Sequence, residues 1–266
     1  ADPADNAGAY AEGEEATAAG EASNAIGNGA SAFGAGSLAY ANGSMALGLN
    51  AQALAEDAVA IGTDTVASGL GSAALGTDAV ASGAYSTATG ARSIASDTQA
   101  TANGFNSAAT GLASTSVGGF STASGMFSSA LGYGAVASGY SSLALGESTQ
   151  ATGSMSVAIG NSWAGMALTQ ASGGMSVALG TAANATGDYT LALGGLSWAG
   201  ADYSTAVGMA AATEGLQSTA LGSASQALAD DSVSIGFYSV ANGLNSVALG
   251  NYSIANRDNT VSVGDV

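Results

Sequence analysis

Histidine, cysteine and lysine are missing from the 266 residues, and proline occurs once. Without His or Cys the chain has no imidazole base, no thiol nucleophile, no disulfide and no His/Cys metal site. Without Lys, a Ser–Lys arrangement is excluded as well. Positive charge is scarce, with two Arg against 19 acids and a net charge of −17. Nucleic acid and anionic membrane surfaces, which are bound through Lys and Arg, are therefore not expected as partners. No run of about 20 apolar residues is present to form a membrane-spanning helix. The opening Ala1-Asp2-Pro3-Ala4-Asp5 has neither the charged nor the apolar region of a signal peptide. Six of the 19 acids fall within the first 21 residues. Residues 1–8 accordingly read as an acidic lead-in. No enzyme is expected, and neither a metal nor a cofactor.

Glycine is abundant at 41 residues, and much of the 47% hydrophobic share is Ala. A large core of bulky side chains is thus not expected, and repetition is the alternative route to excluding water. A repeat is present. The pattern of Ser156-Val157-Ala158-Ile159-Gly160 returns at Ser44–Gly48, Ser176–Gly180, Ser218–Gly222 and Ser246–Gly250. Steps of 14 meet Gly at every slot from Gly20 to Gly160 and again from Gly180 to Gly264, eighteen in all. The two ladders join across 20 residues, one repeat plus a six-residue insertion. A looser segment lies midway, as in Ala135-Val136-Ala137-Ser138-Gly139; its Gly slot also holds Ala41, Ala55, Asp97, Ala201, Ala229 and Arg257. Each unit is read as two five-residue strands, each followed by a two-residue connection, because both segments alternate with period two. The fold class expected is all-β, a parallel solenoid of about 18 turns with each strand beside its own copy.

Odd places in each strand hold Ser or Ala, which suits the interior of a narrow roll. Even places point outward. In the first strand they are mostly large: Val59, Ile61, Leu143, Leu145, Val157, Ile159, Val177, Leu179, Leu191, Leu193, Val247 and Leu249. Such an apolar stripe should not stay exposed. Cyclic self-association buries it, with the second strand left facing water. The stripe weakens at Thr87, Thr89, Thr101 and Asn103. This polar layer is either satisfied by water and neighbours, or serves as a register device or axial ion site.

These residues resemble the head of the YadA-like trimeric autotransporter adhesins, whose motif N-S-V-A-I-G-x-x-S is met at Asn245-Ser246-Val247-Ala248-Leu249-Gly250-Asn251-Tyr252-Ser253 with Leu for Ile. Arg257-Asp258-Asn259-Thr260-Val261-Ser262-Val263-Gly264 is similar to the head-to-neck junction. The resemblance implies a left-handed parallel β-roll head over residues 9–256, with the junction beginning at 257–266. It also implies a homotrimer whose first strands face the threefold axis. Further implications are display on the Gram-negative surface, outer-membrane anchoring through a C-terminal region beyond this chain, and adhesion to host matrix protein, host cells or other bacteria.

The insertion lies within residues 161–170 and carries Trp163, Met166 and Leu168. With Trp198, the only other Trp, these are candidate ligand contacts, since Trp is a frequent binding anchor. Packing against a neighbouring subunit or turn is the competing account. Aromatic residues also recur in turn columns, Tyr85, Phe127, Tyr189 and Tyr203 in one and Phe105, Tyr133 and Phe237 in another; Tyr189 and Tyr203 are expected to stack, and the columns are read as packing between protomers, with ligand contact the alternative. Asp64 and Asp78 share another column, which offers at most a weak calcium-type site. Two other function classes stay open: an ice-binding or other surface-binding solenoid, and a structural spacer that binds nothing.

Overall fold

The computed structural model describes residues 8–163, 165 and 167–264; residues 1–7, Ala164, Met166 and residues 265–266 lie outside the described residues. Most of the expected lead-in, Met166 and the last two junction residues are therefore outside it. The chain divides into two compact units, Ala1–Phe127 and Ser128–Val266.

The first unit holds nine strands of two residues, from Tyr10–Ala11 to Thr122–Ala123, and eight of three residues, from Thr17–Ala19 to Thr115–Val117. Each two-residue strand pairs in parallel with the next of its kind, and each three-residue strand does the same, so two sheets form. Val59–Ile61, for example, lies beside Ala73–Leu75, which lies beside Thr87–Thr89. The second unit repeats the design with ten three-residue and nine two-residue strands, ending at Val261–Val263 beside Val247–Leu249. The fold is all-β, a parallel solenoid of about 18 turns with 14 residues per turn. The six extra residues leave the register intact: Val157 still pairs with Val177 and Gln150 with Gln170.

The strands are shorter than the five residues expected. Two local effects end them. The first-ladder glycine leaves the extended region, and the residue opening the next segment folds back by a hydrogen bond to the carbonyl three residues earlier. Ser37 Oγ donates to the Gly34 carbonyl at 2.8 Å and Ser93 Oγ to that of Gly90 at 2.8 Å. The recurring Ser is thus a turn-closing residue as well as a small one.

Alanine fills the interior. Nearly all buried hydrophobic residues are Ala, and the largest fully buried side chains are Thr. The two sheets approach too closely for more. Where Ser replaces an interior Ala, a hydroxyl answers it from the other side: Ser116 and Ser121 meet at 2.7 Å, as do Ser234 and Ser239. Pairing removes the cost of burying either hydroxyl alone.

The two glycine ladders differ in backbone conformation. All eighteen first-ladder glycines have positive φ, most between 112° and 159°, a region that side chains other than glycine's do not adopt. Second-ladder glycines are not left-handed, which explains why Ala, Asp and Arg substitute there. The following turn position is left-handed at both edges of the roll, at φ of 50–61° in 29 residues other than Gly, none of them Val, Ile or Thr. β-branched residues are the ones least tolerant of that conformation. The amide at this position reaches back to the preceding turn, as in Asp64 to the Leu49 carbonyl at 2.9 Å. Hydrogen bonding therefore continues from turn to turn around the bends as well as along the strands.

Candidate functional site

Three surfaces carry the residues singled out from sequence: the outer face of the three-residue strands, the outer face of the two-residue strands, and the turn edges. Within each unit, the twelve apolar residues of the first strand stand in ranks on one sheet face. In a single chain they are partly exposed, and Leu145, Leu193 and Leu249 reach 40–42%. The interior Ala leaves them no core of their own to enter, so this face is an unpartnered apolar surface. Thr87 pairs with Thr101 and Thr89 with Asn103, so the four polar residues form two adjacent rungs of that face. Thr115 extends the polar rank by one rung, beside Thr101. Thr89 Oγ1 donates to the Ala102 carbonyl at 3.4 Å, which ties this layer to the backbone.

The insertion closes on itself as a small hairpin. Trp163 and Ala167 form an antiparallel bridge, with the Trp163 amide 2.8 Å from the Ala167 carbonyl, and Gly165 turns the tip at φ 70°. Thr169 fastens its base. This fully buried residue lies within hydrogen-bonding distance of the Asn161 carbonyl at 3.0 Å and the Gly180 carbonyl at 2.7 Å, and accepts from the Ala182 amide at 3.1 Å. Trp163 is thereby held out from the turn, half-exposed, while Leu168 is partly buried. Trp198 stands elsewhere, on the outer face of the second sheet between Asn184 and Ala212. Its indole lies against Gly200, where an added Cβ would sit 3.0 Å from the ring. The two tryptophans occupy different surfaces, Trp163 at a turn edge and Trp198 on the outward face of the second sheet, where the alternation places it.

The turn edges are richer than sequence reasoning indicated. Tyr189 and Tyr203 stack with ring centroids 5.1 Å apart and planes within 3°. Tyr238 and Tyr252 stack likewise at 5.9 Å, and Phe105 meets Phe120 edge-on at 5.3 Å. Acidic and amide side chains form a second system along the same edges. Asp188 Oδ1 accepts the Gly174 amide at 2.7 Å, Asp202 Oδ1 the Asp188 amide at 2.9 Å, and Asp230 Oδ1 the Leu216 amide at 2.8 Å. Each satisfies a turn amide one rung back, 14 residues away. The 14-residue spacing of Asp and Asn in these columns was the signal that could have revealed it. Asp64 and Asp78 each meet a donor: Asn50 Nδ2 lies 3.0 Å from Asp64, and Arg92 lies 3.7 Å from Asp78.

Known proteins resolve what this architecture belongs to. The YadA head domain repeat matches at residues 11–37, 39–65, 67–93, 86–107, 109–135, 137–162, 171–197, 185–211, 214–239 and 241–265. Among solved structures, the chain is similar to the collagen-binding domain of the Yersinia adhesin YadA, at 26% identity over 64% of this chain and 73% of that one, with a TM-score of 0.33. No curated protein is matched. With matches along nearly the whole repeat array, the chain belongs to the YadA head-domain family, a family of bacterial surface adhesins.

Proposed function

We propose that this chain is the binding head of a homotrimeric adhesin, carried on the bacterial outer membrane by a C-terminal region beyond residue 266. In this reading it attaches to host matrix protein, host cells or other bacteria through the outer faces of the roll. The observation that carries the assembly is the partly exposed face of the three-residue strands, which carries at least one apolar side chain at every rung except Thr87–Thr89 and Thr101–Asn103. Three copies facing one axis bury it, and each Val, Leu or Ile so covered contributes its still-exposed share, less than about half, of the roughly 1.5–3 kcal/mol of a full burial. The Thr and Asn rungs then face one another across the axis, where polar groups at a single level favour one register over its neighbours. The second sheet and the Trp163 hairpin stay outside and form the contact surface.

Light scattering of the purified head should give three chains per particle. Leu145→Glu with Leu193→Glu should give monomers; a wild-type monomer overturns the assembly. Adhesion is tested by binding of the head to immobilised matrix proteins and to intact cells, with Trp163→Ala and Trp198→Ala as variants. Loss of binding in either variant supports these contacts. Normal binding in both assigns adhesion to another surface, and no binding of wild type to any of these leaves the spacer reading.

A further inference from the structure

The stacked Tyr189–Tyr203 pair marks an edge of the second unit whose chemistry suits a cation. The rings lie parallel and one rung apart, so each has one face against the other and one face turned away. A cleft opens on each outward side. The first, of about 210 Å³, is lined by Tyr189, Met155, Met175, Asp188, Ser154 and Gly174. The second, of about 250 Å³, is lined by Tyr203, Leu216, Gln217, Asp230 and Asp231. Each therefore combines an aromatic ring, an apolar wall and at least one carboxylate. Tyr189 and Tyr203 are 51% and 58% exposed, and each borders its cleft. The carboxylates are oriented in advance, because the Gly174 amide holds one oxygen of Asp188 and the Leu216 amide holds one oxygen of Asp230. The second oxygen of each is left to a ligand.

We propose that this edge binds an extended, cationic segment of a protein partner, with one Lys or Arg side chain in each cleft. A cation set over a tyrosine face beside a carboxylate gains from both. The alkyl stem of Lys or Arg packs on Met155 and Met175 in one cleft and on Leu216 in the other. Net charge of −17 draws such a partner in. The clefts centre on the Met175 and Gln217 rungs, three rungs apart, which is about 14 Å at sheet spacing. An extended chain advances about 3.4 Å per residue and returns to the same side every second residue. Side chains at i and i+4 therefore match the clefts in both distance and direction, and those at i and i+2 do not. The inference rests on the adhesive reading above and specifies the chemistry of one partner.

The test uses the purified head and labelled Gly/Ser peptides carrying two lysines four residues apart or two residues apart, compared by fluorescence anisotropy at low salt. The four-apart peptide should bind at least about fivefold more tightly. Asp188→Asn combined with Asp230→Asn should abolish that preference, whereas Glu56→Gln with Asp57→Asn, which removes equal charge elsewhere, should leave it. Tyr189→Leu with Tyr203→Leu should weaken binding while circular dichroism confirms the fold. Equal binding of both peptides, or equal loss in both charge-removed variants, overturns the proposal and leaves only nonspecific attraction to an acidic protein. Cell and matrix binding measured in parallel separates the two readings. Adhesion without peptide discrimination defeats the clefts alone, and peptide discrimination without adhesion defeats the adhesin reading while the clefts stand.

Discussion

Substituting one glycine in each ladder separates two physical effects that distance alone confounds. A Cβ on Gly222 would lie 2.5 Å from the Gly236 carbonyl oxygen, and one on Gly187 would lie 2.4 Å from the carbonyl carbon of Ala201. By proximity the two sites are alike. Conformation distinguishes them, because Gly222 has φ 138° and Gly187 is not left-handed. The Gly187 column also holds Ala41, Ala55, Ala201 and Ala229, so a small backbone shift admits a Cβ there. Conformation therefore outweighs rigid overlap at these sites. Gly222→Ala should cost about 2–6 kcal/mol, from a backbone strain of roughly 1–3 kcal/mol and an overpacking term of similar size. Gly187→Ala should change stability by less than about 1 kcal/mol, since lost unfolded-state freedom offsets the local shift. Urea unfolding followed by far-UV circular dichroism measures both. Native-state hydrogen exchange localises the first, and protection should fall mainly at the turns around residues 208–236, since each repeat contacts only its neighbours. Equal cost at the two sites would refute the conformational argument and leave steric overlap as the cause.

Thr169→Val should destabilise the second unit by about 1–3 kcal/mol, because it removes the hydroxyl that engages the Gly180 carbonyl and the Ala182 amide where the hairpin rejoins the roll; the exchange rate of the Ala182 amide reports it, and unchanged protection would refute the fastening role. Ala210→Val should cost more than Ala210→Gly, since residue 210 has φ 56° and a β-branched side chain is poorly tolerated there. Thermal unfolding of the pair should place valine lower, and equal midpoints would contradict the explanation for the missing Val, Ile and Thr at these turns.

Much of the architecture was legible because each cause is local and repeated. The unbroken glycine ladder reports a backbone that only glycine adopts, and all eighteen of its members have positive φ. Alternation of Ala with larger residues placed the interior, and the 20-residue gap identified the insertion. Strand length was misjudged because the turn-closing bond from Ser to the carbonyl three residues back, as at Ser37 and Ser93, is invisible to a period-two pattern. The left-handed turn residues were missed since Tyr, Asp, Ser and Met occupy them without a compositional signature; only the exclusion of Val, Ile and Thr marks the columns.

The amino-acid order by itself determined the period, the two unequal ladders, the small interior and the apolar outer rank, because each follows from what one residue's backbone or volume permits. Tertiary structure alone decided how side chains meet across rungs. It closed the insertion through Trp163 and Ala167 and set a carboxylate and an apolar wall beside each outward tyrosine face. The cleft of Met155, Met175 and Tyr189 joins residues on successive rungs, and it exists only once the register across the insertion is fixed by strand pairing.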